Sequence, residues 1–553
     1  MANKKEKVLS EAKQSYLDEL EARVKDQILE PSNAALLRKL IINADSDDEA
    51  LSIAALGTTY KKTGFHFDKR LEEPRMTNTI RYFKKNEKLS FGNSKNGGPI
   101  HKLIIGDNYD ALQNLLIQYK GNVDVIYIDP PYGKDSMGEF AKTNYKNTIS
   151  RDNLLSMLYF RLLLAKQLLS KRGVIFCSID DKNQAYVKCL FDDVFGERNF
   201  LGQLILKTAT DNNPSQITIE HEYMLCYSLI KENQDKWERI SRGAELIIEK
   251  YNQIKEEGVS IAEEQKKLRK WIKDNKTALN GVAHYNNVDE LGVYSSSGNS
   301  SNPHPGGYDY DILHPDTHLA VPKPANGWRW PEETFWNYNK EGQILWGTDH
   351  STQPHVKKRI ETAKDTLRTL IYEDNRATTQ MLEKIFNNKN LFSNPKPHNV
   401  LSRIFDFITT NDSVILDFFA GSGTTGQAVL ELNKADGGNR TFILCQLNEI
   451  TETTPNGIAY DVTSKRLKRI MTGECYDGSK DFKWIEENEP YGGRLDVYEM
   501  AEVSNANATK GQTPFDVIDE TLYGEKRFTS ARKKIEWVCN NFFQTQMSVN
   551  HED

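Results

Sequence analysis

Residues 123–132 read Val-Asp-Val-Ile-Tyr-Ile-Asp-Pro-Pro-Tyr, an apolar run that ends in an acid, two prolines and an aromatic ring. The run is short and rich in β-branched residues, which predicts a buried strand over 123–128. A Leu-rich stretch at 153–171 is long enough for a helix, and a β-rich run follows at 173–179. Strand, helix and strand at this spacing predict a βαβ unit, a parallel sheet and therefore an α/β fold.

The tetrapeptide Asp129, Pro130, Pro131 and Tyr132 follows the first of these strands directly. Its backbone is stiff, because proline fixes φ and restricts the residue before it. Prolines lack an amide hydrogen, so a ligand meets carbonyl acceptors, a carboxylate and an aromatic plane. Such a row of acceptors suits a planar base that carries an exocyclic amine. The alternative interpretation is a Pro-Pro turn in which the acid caps the strand end.

The chemistry of an aromatic amine fits this tetrapeptide. The amine is a poor nucleophile because its lone pair is delocalised into the ring. If Asp129 and the Pro130 carbonyl accept both N–H hydrogens, a tetrahedral nitrogen is favoured, and its lone pair can attack an aligned sulfonium methyl. Extruding a base from a duplex costs a few kcal/mol, and stacking on Tyr132 returns about 1–3 kcal/mol. This chemistry needs no metal, and the six scattered cysteines include no Cys-x-x-Cys pair.

A second strand-to-helix junction lies at 417–426, Asp-Phe-Phe-Ala-Gly-Ser-Gly-Thr-Thr-Gly. Strands are predicted at 413–418 and 441–447, with a helix at about 424–433 between them. Glycines let the backbone approach a ligand, and a helix N-terminus offers amide donors. The loop predicts a nucleoside cofactor, and by itself it does not distinguish NAD from S-adenosyl-L-methionine. Its candidate contacts are Asp417, Phe419, Ala420, Gly421, Ser422 and Gly423, with Glu449 beyond the next strand as a candidate ribose acceptor.

A tetrapeptide that precedes the glycine loop resembles the beta class of amino-group DNA methyltransferases. The resemblance implies a Rossmann-like S-adenosyl-L-methionine-dependent methyltransferase core whose tetrapeptide binds the target base. Aspartate in its first position implies adenine rather than cytosine. The resemblance also implies that Lys396, in Asn394-Pro-Lys-Pro397, meets the cofactor carboxylate, that Asp107 meets the cofactor adenine and that Glu449 holds the ribose. A helix N-cap is the alternative role for Asp107.

Three further segments resemble the modification (Mod) subunits of type III restriction-modification systems: Val194–Asn199, Gly327–Trp330 and Thr513–Glu520. This resemblance implies a double-stranded DNA substrate, a homodimer and a restriction (Res) helicase/nuclease partner. It also implies an inserted target recognition domain. The expected organisation is an N-terminal helical segment at 1–95, the catalytic half of the core at 96–231, the insertion at 232–354, the cofactor-binding half at 355–475 and a C-terminal dimerisation or partner-docking segment at 476–553.

In the insertion, the alternation of predicted strands and helices stops. It contains a charged helical stretch, a Ser/Asn/Gly/Pro-rich region and an aromatic-rich region. Two basic clusters, Lys266-Lys267 with Arg269-Lys270 and Lys357–Arg359, are candidates for phosphate contacts. A solvated helix face explains the first of them equally simply. The tryptophans are candidates for wedging or reading bases, or for an ordinary aromatic core.

Composition narrows the classes of protein without selecting one. The chain has 553 residues and a net charge of -6, so a DNA-binding surface must concentrate its positive charge locally. It shows neither a secretory leader nor an apolar run of the ~18 residues that a membrane helix needs, which predicts a cytoplasmic protein without membrane contact. The alternatives are an NAD-dependent oxidoreductase using Gly421–Gly426, a non-catalytic DNA-binding scaffold, and a methyltransferase acting on N4-cytosine, RNA or a protein amide.

Overall fold

The computed structural model describes residues 9–25, 29, 31–56, 79–92, 98–132, 151–207, 216–279, 281–373, 375–389, 391–392, 395–504 and 513–543. The chain divides into two compact units, Met1–Asp68 and Lys69–Asp553. In these described ranges no helix is long and apolar enough to cross a lipid bilayer.

The first unit is a small helical bundle. Its helices are α1 (Glu11–Lys25), α2 (Pro31–Asn43) and α3 (Asp47–Leu56). Leu17, Leu20 and Ile41 are almost fully buried between them, together with the small Ala50. Small and large apolar residues at helical spacing let three short helices close around one core.

The second unit combines strands and helices. Its described strands are β1 (Thr79–Lys85), β2 (Ile100–Ile105), β3 (Val123–Ile128), β4 (Leu169–Ile179), β5 (Phe200–Lys207), β6 (His221–Ser228), β7 (Glu238–Ile240), β8 (Asn287–Asp289), β9 (Gly292–Gly298), β10 (Ile344–Leu345), β11 (His355–Arg359), β12 (Lys364–Thr366), β13 (Leu370–Tyr372), β14 (Val414–Asp417), β15 (Thr441–Gln446) and β16 (Arg494–Ser504). Its described α-helices are α4 (Asn108–Tyr119), α5 (Arg151–Leu168), α6 (Gln184–Phe195), α7 (Arg242–Glu256), α8 (Ile261–Asp274), α9 (Glu332–Lys340), α10 (Asn375–Phe386), α11 (His398–Ile408), α12 (Thr424–Asp436), α13 (Lys465–Thr472), α14 (Trp484–Glu487), α15 (Pro514–Val517) and α16 (Ala531–Val538).

Ten of these strands form one mixed sheet in the order β1-β16-β2-β15-β14-β3-β4-β6-β5-β13. The six strands from β16 to β4 are mutually parallel, and β6 is antiparallel to β4. Apolar residues of α11, α12 and α13 are buried in the core on one face of the sheet. The predicted α/β fold is therefore confirmed, and the predicted strands at 123–128 and 441–447 are β3 and β15.

The centre of the sheet pairs β3 with β14. Ile415 lies beside Val125 and Leu416 beside Ile126, in parallel register. The chain proceeds from β3 to β4 on one side and from β14 to β15 on the other, so the strand order reverses between them. Ligands of open α/β sheets bind in the crevice at such a reversal, beyond the carboxyl ends of the strands. Two sequence-distant segments thus end at the same crevice.

The two terminal segments contribute strands that their composition did not indicate. β1 lies inside 1–95, which was expected to be helical, and β16 lies inside the C-terminal segment 476–553. They pair antiparallel with each other, and β16 also pairs with β2. Both strands contain charged residues, which obscure the alternation of apolar and polar side chains in the sequence. Arg81, for example, pairs with Asp110 and Glu502 only in the folded protein. The α/β unit therefore begins before residue 95.

A module inserted between β6 and β13 builds its own small sheets and cores. Strands β8 to β11 form a four-stranded antiparallel sheet, and β7 pairs with β12 where the module begins and ends. One core forms between α7 and α8, and a second surrounds Trp328 and Phe335. Ile360 and Ala363 belong to the first core, so the module extends beyond the expected boundary at 354. Most of its tryptophans are buried or half-buried, as in an ordinary aromatic core.

The C-terminal tail folds back onto the β1 edge of the sheet. Tyr523 stacks on Phe83, with ring centroids 5.2 Å apart. Its hydroxyl donates to Asn114 Oδ1 at 2.7 Å and accepts the Phe83 amide at 2.8 Å. One buried phenol therefore joins the tail, β1 and α4.

We predict that Tyr523→Phe lowers the free energy of unfolding by about 1–3 kcal/mol, because a buried amide and a buried side-chain oxygen lose their partner. Thermal and denaturant melting measure the change. Tyr372→Phe is the matched control, because Tyr372 is 72% exposed and should melt like the wild type. Equal stability of Tyr523→Phe and the wild type would contradict the anchoring role of this hydroxyl.

Candidate active site

The tetrapeptide lies at the carboxyl end of β3, at the crevice where the strand order reverses. Pro130 is buried, and the Asp129 side chain retains 27% exposure. Asn183, which follows the neighbouring strand β4, donates from Nδ2 to the Tyr132 carbonyl at 2.8 Å. The same amide donates to Asp180 Oδ1 at 2.9 Å. The rigid tetrapeptide is thus also held from the side.

The side chains of Asp129, Tyr132, Glu222 and Lys396 meet in one cluster. The Tyr132 hydroxyl lies 2.9 Å from Asp129 Oδ1 and 3.0 Å from Glu222 Oε2. Its single proton can serve one carboxylate at a time. Lys396 Nζ donates to the Tyr132 hydroxyl at 2.7 Å, contacts Glu222 directly and lies 3.4 Å from Asp129 Oδ1. Two carboxylates therefore share one phenol and one ammonium.

Burial and neighbouring charge act in opposite directions within this cluster. Burial raises the pKa of Asp129, and Lys396 opposes that shift. Burial alone would lower the pKa of Lys396, but Asp129 and Glu222 outweigh it and raise that pKa, so the ammonium stays charged. Burial and the two carboxylates raise the pKa of Tyr132, so the phenol keeps its proton. The cluster thus combines a charged ammonium and a protonated phenol with two carboxyl groups.

Lys396 was predicted to meet a cofactor carboxylate, and the structure places its ammonium at the tetrapeptide Asp129–Tyr132. The ammonium lies at the hydroxyl end of the Tyr132 ring, 5.1 Å from the centroid, and not above the ring face. Asn394 of the same motif lies outside the described residues. In this structure Lys396 thus belongs to the tetrapeptide side of the crevice.

The glycine loop follows β14, immediately beside the tetrapeptide strand. Phe419 and Gly421 are partly exposed there, whereas Ala420, Ser422 and Gly423 are buried. Gly421 and Gly423 have φ of 52° and 83°, a left-handed conformation that glycine adopts without strain. The Asp417 carboxylate accepts the Phe419 amide at 2.9 Å and the Thr425 hydroxyl, so it fixes the loop from within.

A buried arginine binds the glycine loop from the protein interior. Arg466 on α13 donates to the Ser422 hydroxyl at 2.8 Å and to Gln427 Oε1 at 2.8 Å. Gln446 Oε1 at the end of β15 accepts the Gly421 amide at 2.6 Å. The Ser422 hydroxyl, predicted to contact a cofactor, is thus directed into the protein, where it positions the loop.

Asp107 occupies the N-cap of α4, the alternative role foreseen for it. Its Oδ1 accepts the Tyr109 amide at 2.8 Å and pairs with Arg161 at 3.2 Å. The adjacent Asn108 donates to the Phe418 carbonyl at 2.8 Å, which ties this turn to the glycine loop. A cap does not preclude a ligand contact, because the Asp107 side chain remains 32% exposed beside the crevice.

Glu449 lies in the loop after β15 and is half-buried. Its backbone carbonyl accepts the Ile458 amide at 2.9 Å, which closes a turn in this loop. The position is at the same edge of the sheet as the glycine loop, because β14 and β15 are parallel neighbours. A ribose-holding role for Glu449 stays a prediction.

Four residues of the site were missed from the sequence: Asn183, Glu222, Gln446 and Arg466. Asn183 and Gln446 follow parallel strands, so the rule that carboxyl ends of such strands converge identifies them once the strands are assigned. Glu222 comes from the antiparallel strand β6, whose position cannot be read from local spacing. Arg466 resembles a solvated helix cation in the sequence, and its burial depends on the fold around it.

The basic clusters of the module differ in whether their side chains can contact DNA phosphates. Lys357 and Arg359 are bound to Asp289 at 2.8 Å and 2.6 Å, so they stabilise the module and are not available to phosphate. Lys266, Lys270 and Lys273 point to solvent along α8, opposite its buried face. Lys270 and Lys273 have no ion-pair partner within the described part of the chain.

Comparison with protein-family models identifies a DNA methylase model, N6_N4_Mtase, over residues 123–454. A model of an uncharacterised conserved protein matches residues 13–125. The type III restriction-modification enzyme EcoP15I Mod subunit of Escherichia coli is 32% identical over 433 residues, which are 70% of this chain and 67% of that protein. The StyLTI Mod subunit of Salmonella typhimurium is 29% identical, over 67% of this chain and 57% of its own length. The type II methyltransferase M.KpnI of Klebsiella pneumoniae is 28% identical, over 69% of this chain and 89% of its own length.

Asp417 yields a pH-dependent prediction, because burial raises its pKa to about 7 from 3.8. In the unfolded chain this carboxyl ionises first, so the wild type loses stability as the pH rises from about 4 to 7. Asp417→Asn removes this loss. We expect the unfolding free energy of the variant, relative to wild type, to improve by about 2–4 kcal/mol between pH 4.5 and 7.5. Melting at both pH values measures it, and a constant difference would contradict the assignment.

Proposed function

Because this chain belongs to the family of DNA methylases, we propose that it transfers a methyl group from S-adenosyl-L-methionine to the N6 amine of a flipped-out adenine in double-stranded DNA. The family match confirms the resemblance drawn from the tetrapeptide and the glycine loop. S-adenosyl-L-methionine is the methyl donor, as that resemblance implied. The single observation that carries the proposal is the adjacency of β3 and β14, which brings the base-binding tetrapeptide beside the cofactor loop.

The residues at the end of β3 supply the hydrogen-bond acceptors that make an aromatic amine a better nucleophile. Asp129 offers a carboxylate and Pro130 a carbonyl, and together they accept the two hydrogens of the amine. This favours a tetrahedral nitrogen, and the remaining lone pair can attack. The Tyr132 ring is held at its hydroxyl end, so both ring faces stay clear of the Lys396 ammonium for stacking a base. The tetrapeptide therefore orients and polarises the amine without forming a covalent bond to it.

The cofactor would lie along the glycine loop. Phe419 and Gly421 are the partly exposed members of that loop, and Asp107 and Glu449 border the same edge of the sheet. Asp417, Ser422 and Arg466 hold the loop in shape from behind. The sulfonium supplies an electrophilic methyl group when it is bound. The chain itself needs to orient the amine toward the methyl group, which the stiff tetrapeptide and the fixed glycine loop support.

Two relatives favour different partner arrangements. The similarity to the EcoP15I Mod subunit supports a type III modification subunit. The homodimer and the restriction subunit that the sequence resemblance implied are part of this proposal. This chain spans about two thirds of that protein and 57% of the StyLTI Mod subunit. It spans 89% of the type II enzyme M.KpnI, which favours as second candidate a methyltransferase that acts without a restriction subunit. Co-purification with the product of a neighbouring restriction gene would separate the two.

We assign DNA recognition to the inserted module, because it builds its own sheet and its own cores and joins the rest of the chain through β7 and β12. The solvent face of α8 concentrates Lys266, Lys270 and Lys273, which matches the local positive charge that DNA requires of an acidic chain. Arg329, exposed beside Trp330, is a candidate for base contact. The C-terminal segment remains our proposed dimerisation or docking element.

We predict that Asp129→Ala reduces methyl transfer by at least about 1,000-fold, because the carboxylate that polarises the amine is removed. Tyr132→Ala should reduce it strongly, and Tyr132→Phe less, since phenylalanine still stacks. The assay is transfer of radiolabelled methyl groups to genomic DNA, followed by identification of the modified base.

The control is cofactor binding. S-adenosyl-L-methionine, and not NAD, should raise the melting temperature of the wild type and of Asp129→Ala alike. Stabilisation by NAD alone would indicate an oxidoreductase, and cofactor binding without methyl transfer by wild type would indicate a scaffold. Label on cytosine, RNA or protein would change the assigned substrate.

The α8 face gives an independent prediction. Replacing Lys266, Lys270 and Lys273 together by glutamine should weaken DNA binding for all sequences alike and reduce the slope of log K against log salt by about 0.9 per lost phosphate contact. Lys323→Gln is the control, because Lys323 is paired with Asp309 and Asp311 in the same module. An unchanged salt slope in the triple variant would refute the α8 contact.

A further inference from the structure

Glu222 has no part in the reaction described above, yet its carboxylate lies among the catalytic side chains. It contacts Lys396 directly and lies 3.0 Å from the Tyr132 hydroxyl. Its side chain is 13% exposed, on the amino end of β6. Burying a carboxylate is costly unless its partners compensate, so its position calls for a function.

Lys396 is a potential competitor for the target amine. Both are nitrogen donors, and both have Asp129 Oδ1 within reach: the ammonium is already 3.4 Å away. An ammonium committed to Asp129 would occupy the acceptor that the amine needs and would make it a weaker acceptor. In the structure Lys396 is closer to Glu222 than to Asp129. The second carboxylate therefore decides where the cation resides.

We propose that Glu222 is a positioning residue that retains Lys396 and the Tyr132 hydroxyl, and thereby keeps Asp129 open to the target amine. This inference rests on the proposed function for its catalytic consequence. Its electrostatic basis rests on the four-residue cluster alone. Glu222 acts through Lys396 and Tyr132, and contact with the base is not required of it.

Lys396 is needed for the converse reason. Its ammonium contacts both Asp129 and Glu222, so its removal takes positive charge away from two partly buried carboxylates that share one phenol. Like charges at this distance favour protonation of one of them. A protonated Asp129 is a poorer acceptor for the amine. Removal of either Glu222 or Lys396 should thus harm the reaction, whereas removal of both restores the charge balance around Asp129.

A double-mutant cycle tests this dependence. Glu222→Gln keeps the shape and removes the charge, Lys396→Met removes the cation, and the double variant carries both changes. We expect Glu222→Gln to lower kcat at least about tenfold, with the KM for S-adenosyl-L-methionine within about threefold of wild type. The double variant should be at least about tenfold more active than Glu222→Gln alone.

Glu220→Gln is the matched control, since Glu220 lies two residues away and pairs with Lys207 in an exposed ion pair. It should retain wild-type kcat. Wild-type activity of Glu222→Gln would overturn the proposal, as would a double variant that is no more active than Glu222→Gln. If Glu222→Gln fails to fold, a folded and active double variant supports the proposal and an inactive one refutes it.

A second readout is independent of methyl transfer. In the same cycle measured by thermal melting, Lys396→Met should melt below wild type, and the double variant should melt above Lys396→Met, because the excess buried charge is gone. Additive melting shifts would overturn the coupling of Glu222 and Lys396. Absence of methyl transfer by the wild type, with coupled melting shifts, would refute the proposed function and leave the cluster intact.

Discussion

The parallel pairing of β3 with β14 is the constraint on which the site depends. The two strands come from distant parts of the chain, yet their register places the tetrapeptide and the glycine loop at one edge of the sheet. Neither segment makes the proposed site by itself: the tetrapeptide offers the acceptors, and the glycine loop offers the candidate contacts for the cofactor. Backbone hydrogen bonds in the middle of the sheet thus hold the tetrapeptide and the glycine loop next to each other.

Ion pairs and hydrogen bonds fix the side chains that the backbone brings together at the crevice. The cluster around Tyr132 carries two carboxylates and one ammonium, and the loop behind Gly421 is held by the buried guanidinium of Arg466. Charges at such positions must be matched by neighbours, because burial opposes ionisation. Glu222 compensates the charge of Lys396, whereas Asn183 and Gln446 hold the backbone of Tyr132 and Gly421 by hydrogen bonds. Glu222, Asn183 and Gln446 are therefore as much part of the architecture of the crevice as the tetrapeptide.

Much of the fold and the centre of the site could be predicted from the sequence, because both depend on local pattern. The apolar runs at 123–128 and 441–447 are strands, and the acid–proline–aromatic element lies where such a strand ends. β1 and β16 escaped prediction because their charged residues find partners far along the chain. Glu222 escaped because antiparallel placement of β6 depends on the order of the whole sheet. Lys396 was singled out from its motif as a cofactor contact, but its contacts depend on side chains that converge only after folding.

The inserted module joins the α/β unit through two paired strands. Ile240 and Lys364 are paired neighbours on β7 and β12, so the module leaves and re-enters the protein at almost one point. Because the two ends already lie side by side, the entropy of closing this excursion changes slowly with its length. The α/β unit can therefore carry a longer, shorter or unrelated insertion at this point of attachment while the geometry of its central crevice remains the same.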